Sequence, residues 1–164
     1  MSTHGPKLLV DTNVWIDAFV ESRADHANAR ALFDFALLND LSLLYAATSM
    51  QNVHYLISQA LKRAALSSGR ELAETDYKEI ADAAWRRIDD MSEVGFAVGC
   101  DESDLWLARK HRTIHYDFED DLMVAAAKRS EADFIVTRDK QFLAHCPVAA
   151  LDTFDMLDYL QKTL

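Results

Sequence analysis

Residues 7–13 of the chain are KLLVDTN, a short apolar run that ends in an aspartate and two more polar residues. This run predicts a buried β-strand at 7–10, and the residues at 14–19 predict a helix directly after it. Residues 133–137, DFIVT, repeat the arrangement, because they predict a second buried strand and Asp139 follows them. Each of the two strands therefore delivers a carboxylate at its carboxyl end.

The rest of the chain alternates between predicted strands and helices. Further strands are expected at 41–47, 96–98 and 148–151. Helices are expected at 25–39, from Thr48 or Ser49 to 66, after a cap at Thr75, and at 101–110, 117–130 and 153–164. Such alternation predicts βαβ units around a mainly parallel sheet. We therefore expect residues 1–164 to form a single α/β domain.

The composition limits the classes of function that the chain can have. Its 164 residues have the length of one domain, and with 50% apolar residues it can bury a core without disulfides. The 27 acidic residues outnumber the 17 basic ones, which gives a net charge of −10. Proteins that hold DNA through non-specific phosphate contacts are usually basic, so this class is disfavoured. Carboxylates that bind metal ions remain compatible with the acidic excess.

The cysteines and the hydropathy pattern indicate a cytoplasmic protein. Two cysteines, Cys100 and Cys146, cannot form a disulfide framework, and both are predicted to be buried thiols. The sequence contains no apolar run long enough to span a membrane and no signal-peptide core near Met1. We therefore expect no membrane association.

Three groups of carboxylates are expected to meet at one edge of the sheet. Asp11 and Asp139 follow two parallel strands, and the chemistry of an open parallel sheet lies beyond the carboxyl ends of its strands. The third group begins a helix at 117–121. There Asp117 and Asp120 are three residues apart and share a helix face, whereas Glu119 and Asp121 are expected to point elsewhere.

Carboxylates brought together in this way need a compensating charge. Like charges raise each other's pKa, and oxygen ligands suit a hard divalent cation such as Mg²⁺ or Mn²⁺. A metal ion held there can activate water and stabilise an in-line displacement at phosphorus. Taken singly, however, Asp11, Asp117 and Asp139 are equally compatible with plain capping of the helices that follow them.

Three segments together resemble the PIN-domain nucleases. They are LLVDTNV at 8–14, FEDDL at 118–122 with AAA at 125–127, and ADFIVTRDKQF at 132–142. Their order and spacing are similar to those of the family, and the resemblance spans nearly the whole chain. It implies a three-layer α/β/α sandwich with a central, mainly parallel sheet of four or five strands.

The resemblance also implies an activity and partners. It implies a Mg²⁺- or Mn²⁺-dependent endoribonuclease that cleaves RNA, most often the VapC-like toxin of a bacterial type II toxin–antitoxin pair. A cognate antitoxin and a homodimer follow from the same resemblance. Carried over residue by residue, Asp11, Asp120 and Asp139 match the acidic metal ligands, with Asp117 one turn before Asp120.

The polar residues beside these carboxylates match the family in part. Thr12, Asn13 and Thr137 match polar positions that orient the acidic groups. The family's second acidic residue, usually a glutamate early in the helix after the second strand, is absent, and Asn52 best fits its position. An amide oxygen can coordinate a hard cation but adds no charge. An RNA-binding or scaffold protein with little nuclease activity is therefore the alternative function.

Other candidate features carry weaker signals. Arg138 is the basic residue best placed to contact an RNA phosphate. Trp15 and Phe19 are interpreted as core residues, with an antitoxin or dimer surface as the alternative. His111 and His115 have a spacing that can bind zinc, but surface histidines fit the local sequence better. A receiver-like signalling domain also carries acidic residues at a sheet edge, but the lysine expected after its last strand is missing.

Overall fold

Five parallel strands form one sheet in the computed structural model, which describes residues 5–67, 69, 71–112 and 117–164. The strands are β1 (Lys7–Val10), β2 (Ser42–Ala46), β3 (Phe96–Val98), β4 (Phe134–Val136) and β5 (Ala150–Leu151). Their order across the sheet is β3-β2-β1-β4-β5, and every pairing is parallel. The predicted parallel sheet and its strand positions are therefore confirmed; β1 and β3 have the predicted bounds, and β2, β4 and β5 are shorter than predicted.

Helices connect the strands and flank the sheet. They are α1 (Thr12–Phe19), α2 (His26–Leu38), α3 (Ser49–Leu66), α4 (Glu74–Val94), α5 (Glu102–His111), α6 (Phe118–Ser130), α7 (Lys140–His145) and α8 (Thr153–Thr163). The predicted cap at Thr75 is wrong, because α4 begins at Glu74 and Ala73, two residues before Thr75, occupies its N-cap position. There Asp76 accepts a hydrogen bond from the Ala73 backbone N–H at 2.8 Å, which stabilises the earlier start.

Alternate residues of β1 point to opposite faces of the sheet, and each face carries its own core. Leu8 and Val10 join the cluster formed with α1, α2, α3, α4 and α8. Leu9 joins the second cluster, to which α6 and α7 contribute Met123, Val124 and Phe142. Because strand side chains alternate with a period of two, the apolar residues 8–10 of β1 pack into the cores on both faces of the sheet. The α/β/α sandwich is thus confirmed.

The topological switch point of the sheet lies at the carboxyl ends of β1 and β4. The chain leaves β1 towards β2 on one side, while β4 pairs with β1 on the other, with Val10 opposite Val136. Beyond the last pair, the Asp11 backbone N–H still donates to the Val136 carbonyl oxygen at 2.9 Å. In open parallel sheets, a crevice forms at such a switch point and holds the ligand.

The structure bears on the predicted burial of the two cysteines and on the search for membrane-spanning helices. Cys100 is exposed, contrary to the predicted burial, because it lies in the loop between β3 and α5, whereas Cys146 is partly buried. No helix among the described residues is long and apolar enough to cross a membrane.

Candidate functional site

Five carboxylates line one open pocket of about 370 Å³ at the carboxyl edge of the sheet. They come from the end of β1, the first turn of α6 and the end of β4, and they are Asp11, Asp117, Glu119, Asp120 and Asp139. We call these five residues the acidic cluster. The three elements meet here because β1 and β4 are neighbours in the sheet and α6 immediately precedes β4 in the chain.

Asp11 is the buried centre of the acidic cluster, with 7% of its surface exposed. Its Oδ2 accepts hydrogen bonds from Thr137 Oγ1 and from Asn13 Nδ2, both at 2.6 Å. Although Asp11 occupies the N-cap position of α1, its side chain makes no capping hydrogen bond to the helix. The capping interpretation is therefore wrong for Asp11, whose carboxylate is directed to the neighbouring strand end.

Asp117 and Asp139 are helix caps and also line the pocket. Oδ1 of Asp117 accepts from the Glu119 backbone N–H at 2.8 Å, and Oδ1 of Asp139 accepts from the Gln141 N–H at 2.8 Å. Each capping interaction uses only one carboxylate oxygen, so the second oxygen of each side chain remains for the pocket. The capping interpretation is correct for these two residues and does not compete with a role in the pocket.

Glu119 faces the acidic cluster, contrary to the prediction that it points elsewhere. Its Oε1 accepts a hydrogen bond from Thr12 Oγ1 at 3.0 Å. In the first turn of α6, the long glutamate side chain reaches across to the start of α1. The Thr12 hydroxyl is therefore bound to a carboxylate of the pocket. Asp121, by contrast, is buried and does not line the pocket.

Burial and mutual repulsion raise two pKa values in the acidic cluster. Burial raises the pKa of Asp11 to about 6, against the lowering effect of the Thr137 hydrogen bond, and the charges of Glu119 and Asp139 add to the increase. The pKa of Asp120 rises to about 7, first through burial and then through the charges of its four acidic neighbours. Holding all five carboxylates ionised therefore costs free energy unless a cation compensates them.

The donor chemistry of the acidic cluster fits a hard divalent cation. All five charged groups are carboxylates, the ligand type that Mg²⁺ and Mn²⁺ prefer. In the described part of the chain, no three His, Cys, Asp or Glu side chains stand close enough to coordinate one ion together. Binding would therefore require the carboxylates to move closer together.

Arg138 is held away from the acidic cluster, although the sequence made it the best candidate for a phosphate contact. Its Nε forms an ion pair with the fully buried Asp17, and its Nη1 donates to Asp25 Oδ2 at 2.9 Å. Arg23 contacts the other oxygen of Asp17 at 2.6 Å. Arg138 does not line the pocket, so its geometry favours a structural role in neutralising Asp17.

Helix α3 forms one wall of the pocket and contributes no carboxylate. The residues of this wall are Tyr55, Leu56, Gln59, Ala60 and Arg63. Asn52 is half-buried one turn before Leu56, and its neighbour Gln51 is exposed. Asn52 itself does not line the pocket, and its place in a metal site stays a prediction.

The remaining candidates lie away from the pocket or outside the described residues. Trp15 is fully buried against Phe33, and Phe19 is partly buried under the Arg87 guanidinium, as the core interpretation predicted. His111 Nε2 lies 3.1 Å from Lys128 Nζ. His115 lies outside the described residues, so the zinc pair is not tested.

The sequence did not predict two parts of the pocket, which are Glu119 and the α3 wall. The direction of Glu119 depends on its contact with Thr12, a residue more than a hundred positions away in the chain. The α3 wall combines polar, apolar and basic residues without a motif. A helical-wheel projection of α3 places Asn52, Leu56, Gln59 and Arg63 on one face, and this was the available signal.

The fold and the acidic cluster together define an α/β protein with a carboxylate-lined crevice at the switch point of a parallel sheet. The model of the PIN domain family matches residues 7–141, and the chain belongs to this family. Among curated proteins it is similar to Ribonuclease VapC1 of Aquifex aeolicus (strain VF5), with 29% identity over 136 residues that cover 83% of each chain.

Solved structures show the same fold at lower identity. VapBC2 from Rickettsia felis, bound to a DNA fragment from its promoter, superposes with a TM-score of 0.61 at 11% identity, over 89% of this chain and 98% of that one. VapC20 from Mycobacterium tuberculosis, a toxin that cleaves the sarcin–ricin loop, gives a TM-score of 0.59 at 16% identity, over 84% and 93% of the two chains. At these identities the likeness supports the shared fold.

The raised pKa values give the protein a pH-dependent stability. Because the folded-state pKa values of Asp11 and Asp120 exceed their ordinary value near 3.8, the folded state binds more protons than the unfolded state between about pH 4 and 7. Their contribution to the free energy of unfolding therefore decreases as the pH rises through this range. Asp120→Asn should flatten this dependence, as measured by urea unfolding in EDTA between about pH 5 and 8.

The matched control is Asp34→Asn, which changes an exposed carboxylate of α2. This variant should keep the pH profile of the parent chain. If the Asp120→Asn profile runs parallel to the parent profile, Asp120 does not carry the repulsion assigned to it.

Proposed function

We propose that the chain is a metal-dependent endoribonuclease and the toxin of a bacterial toxin–antitoxin pair. The observation that carries the proposal is the convergence of five carboxylates on one pocket at the switch point of the sheet. Membership of the PIN domain family and similarity to Ribonuclease VapC1 support the same activity. The substrate is RNA, and the reaction is hydrolysis of a phosphodiester bond.

Asp11, Asp120 and Asp139 are the proposed ligands of Mg²⁺ or Mn²⁺, with Asp117 beside them. Such an ion, when bound, activates water and neutralises the charge that develops at phosphorus. The side chains of the protein fix the carboxylates: Thr137 and Asn13 orient Asp11 through Oδ2. The Thr137 hydroxyl also accepts from the Asp139 backbone N–H at 3.1 Å and so links the two strand ends.

The proposed partners rest on analogy with the relatives. The Rickettsia structure is VapBC2 on promoter DNA, and the mycobacterial protein is a toxin that cleaves the sarcin–ricin loop. We therefore propose that a cognate antitoxin binds this chain and that the chain forms a homodimer, as the sequence resemblance implied.

A second candidate function is favoured by the composition of the α3 wall. No carboxylate from α3 lines the pocket, so the family's second acidic position adds no charge to the acidic cluster. A PIN-fold protein that binds RNA with little or no cleavage fits this observation. The two candidates differ in whether RNA is cut when a divalent metal is present.

RNA cleavage separates these candidates directly. With Mn²⁺ or Mg²⁺, the parent chain should cleave a mixture of cellular RNA, and EDTA should abolish cleavage. Asp11→Asn should lower the rate at least about a hundredfold, since it removes the central charge of the site. Asp34→Asn should cleave at the parent rate. Intact RNA in every metal-containing reaction would favour the binding protein over the nuclease.

If Asn52 occupies the family's second acidic position, it leaves the site without the negative charge that a glutamate would carry there. Asn52→Asp and Asn52→Glu should then tighten Mn²⁺ binding, because an added negative charge attracts the cation in a partly desolvated site. Calorimetric titration with Mn²⁺ measures the change, and Gln51→Glu, at the exposed neighbouring position, is the control. Equal affinities for the Asn52 variants and the parent would place Asn52 outside the metal site.

A further inference from the structure

The α3 wall and the acidic cluster line the same open pocket, which we call the groove. Tyr55, Gln59 and Arg63 are spaced one turn apart along the helix, and all three line the groove. Arg63 lies eight residues beyond Tyr55, which corresponds to roughly 12 Å along the helix axis. The groove is therefore lined by carboxylates and, on α3, by an arginine.

Arg63 is the cation of this groove that remains available to a ligand. Arg23 also lines the groove, but its guanidinium is paired with the buried Asp17 at 2.6 Å. The Arg63 side chain is exposed and has no acidic partner among the described residues. An arginine of this kind is suited to hold a phosphate, which the carboxylates of the same groove repel.

Tyr55 presents an aromatic ring to the same groove, about two helical turns before Arg63. It is 59% exposed, although it lines the pocket, and no ring contact or hydrogen bond of its side chain is found within the described residues. An exposed aromatic face beside a phosphate-binding cation is the arrangement on which single-stranded nucleic acids stack their bases.

We propose that the α3 wall binds single-stranded RNA, with an unpaired base stacked on Tyr55 and a flanking phosphate held by Arg63. This proposal rests on the function proposed above and extends it to the recognition of the strand. Bases inside a duplex are stacked on their neighbours and cannot reach the Tyr55 ring, so the wall selects unpaired segments.

Binding in EDTA tests Tyr55 without turnover. The fluorescence anisotropy of an end-labelled single-stranded RNA of mixed sequence gives the affinity, and a duplex of the same sequence serves as the competing substrate. Tyr55→Ala should weaken binding of the single strand about 5- to 100-fold, since it removes one stacking interaction. Tyr55→Phe, which keeps the ring, should bind like the parent. The duplex should bind the parent chain more weakly than the single strand does.

The salt dependence of binding tests Arg63. For single-stranded nucleic acid, each lost phosphate contact lowers the slope of log affinity against log salt by about 0.7. Arg63→Ala should show this decrease together with weaker binding. Lys62→Ala removes the same charge from the adjacent position, where the ammonium lies 5.6 Å from the centre of the Tyr77 ring. This control should keep the parent slope.

The outcomes separate this inference from the proposed nuclease activity. If Tyr55→Ala and Arg63→Ala bind single-stranded RNA as tightly as the parent, or if the parent binds none, the α3 inference is overturned, whatever the cleavage assay shows. If these variants lose affinity as expected but the parent cuts no RNA with Mn²⁺, the inference stands and the nuclease proposal fails. Thermal unfolding of each variant checks that its fold is retained.

Discussion

The buried carboxylate of Asp11 is the constraint around which the rest of the site is arranged. The parallel register of β1 and β4 places it beside Thr137, whose hydroxyl donates to it at 2.6 Å. Four further carboxylates then share one pocket with it, so the pKa values of Asp11 and Asp120 rise to about 6 and 7. A fold that holds repelling carboxylates together, without neutralising their charge within the protein, creates a site for a cation.

The neighbouring Asp17 shows how the same fold treats a carboxylate that is purely structural. Asp17 is fully buried on α1, six residues after Asp11, and the guanidinium groups of Arg23 and Arg138 both pair with it. Among the described residues, no lysine or arginine pairs with the acidic cluster. Asp17 within α1 is therefore neutralised, whereas Asp11 at the N-cap of the same helix is not. This contrast supports a functional role for the acidic cluster and a structural role for Arg138.

The sequence predicted what depends on local pattern and missed what depends on distant contacts. Apolar runs predicted the strands, and the order of elements predicted that Asp11 and Asp139 would lie at one edge of a parallel sheet. The direction of Glu119 and the pairing of Arg138 are set by Thr12, Asp17 and Asp25, which are remote in sequence, so spacing alone could not predict them. The α3 wall carries no motif, and its role emerges only from the pocket that it lines.

The central claim is that the acidic cluster binds one divalent cation, and anomalous diffraction from a crystal soaked in Mn²⁺ tests it most directly. The expected result is an anomalous peak bounded by the carboxylates of Asp11, Asp120 and Asp139, and its loss in a crystal of Asp11→Asn soaked in the same way. A fully soaked parent crystal without a peak in this pocket, or with Mn²⁺ bound only elsewhere on the chain, would contradict the account.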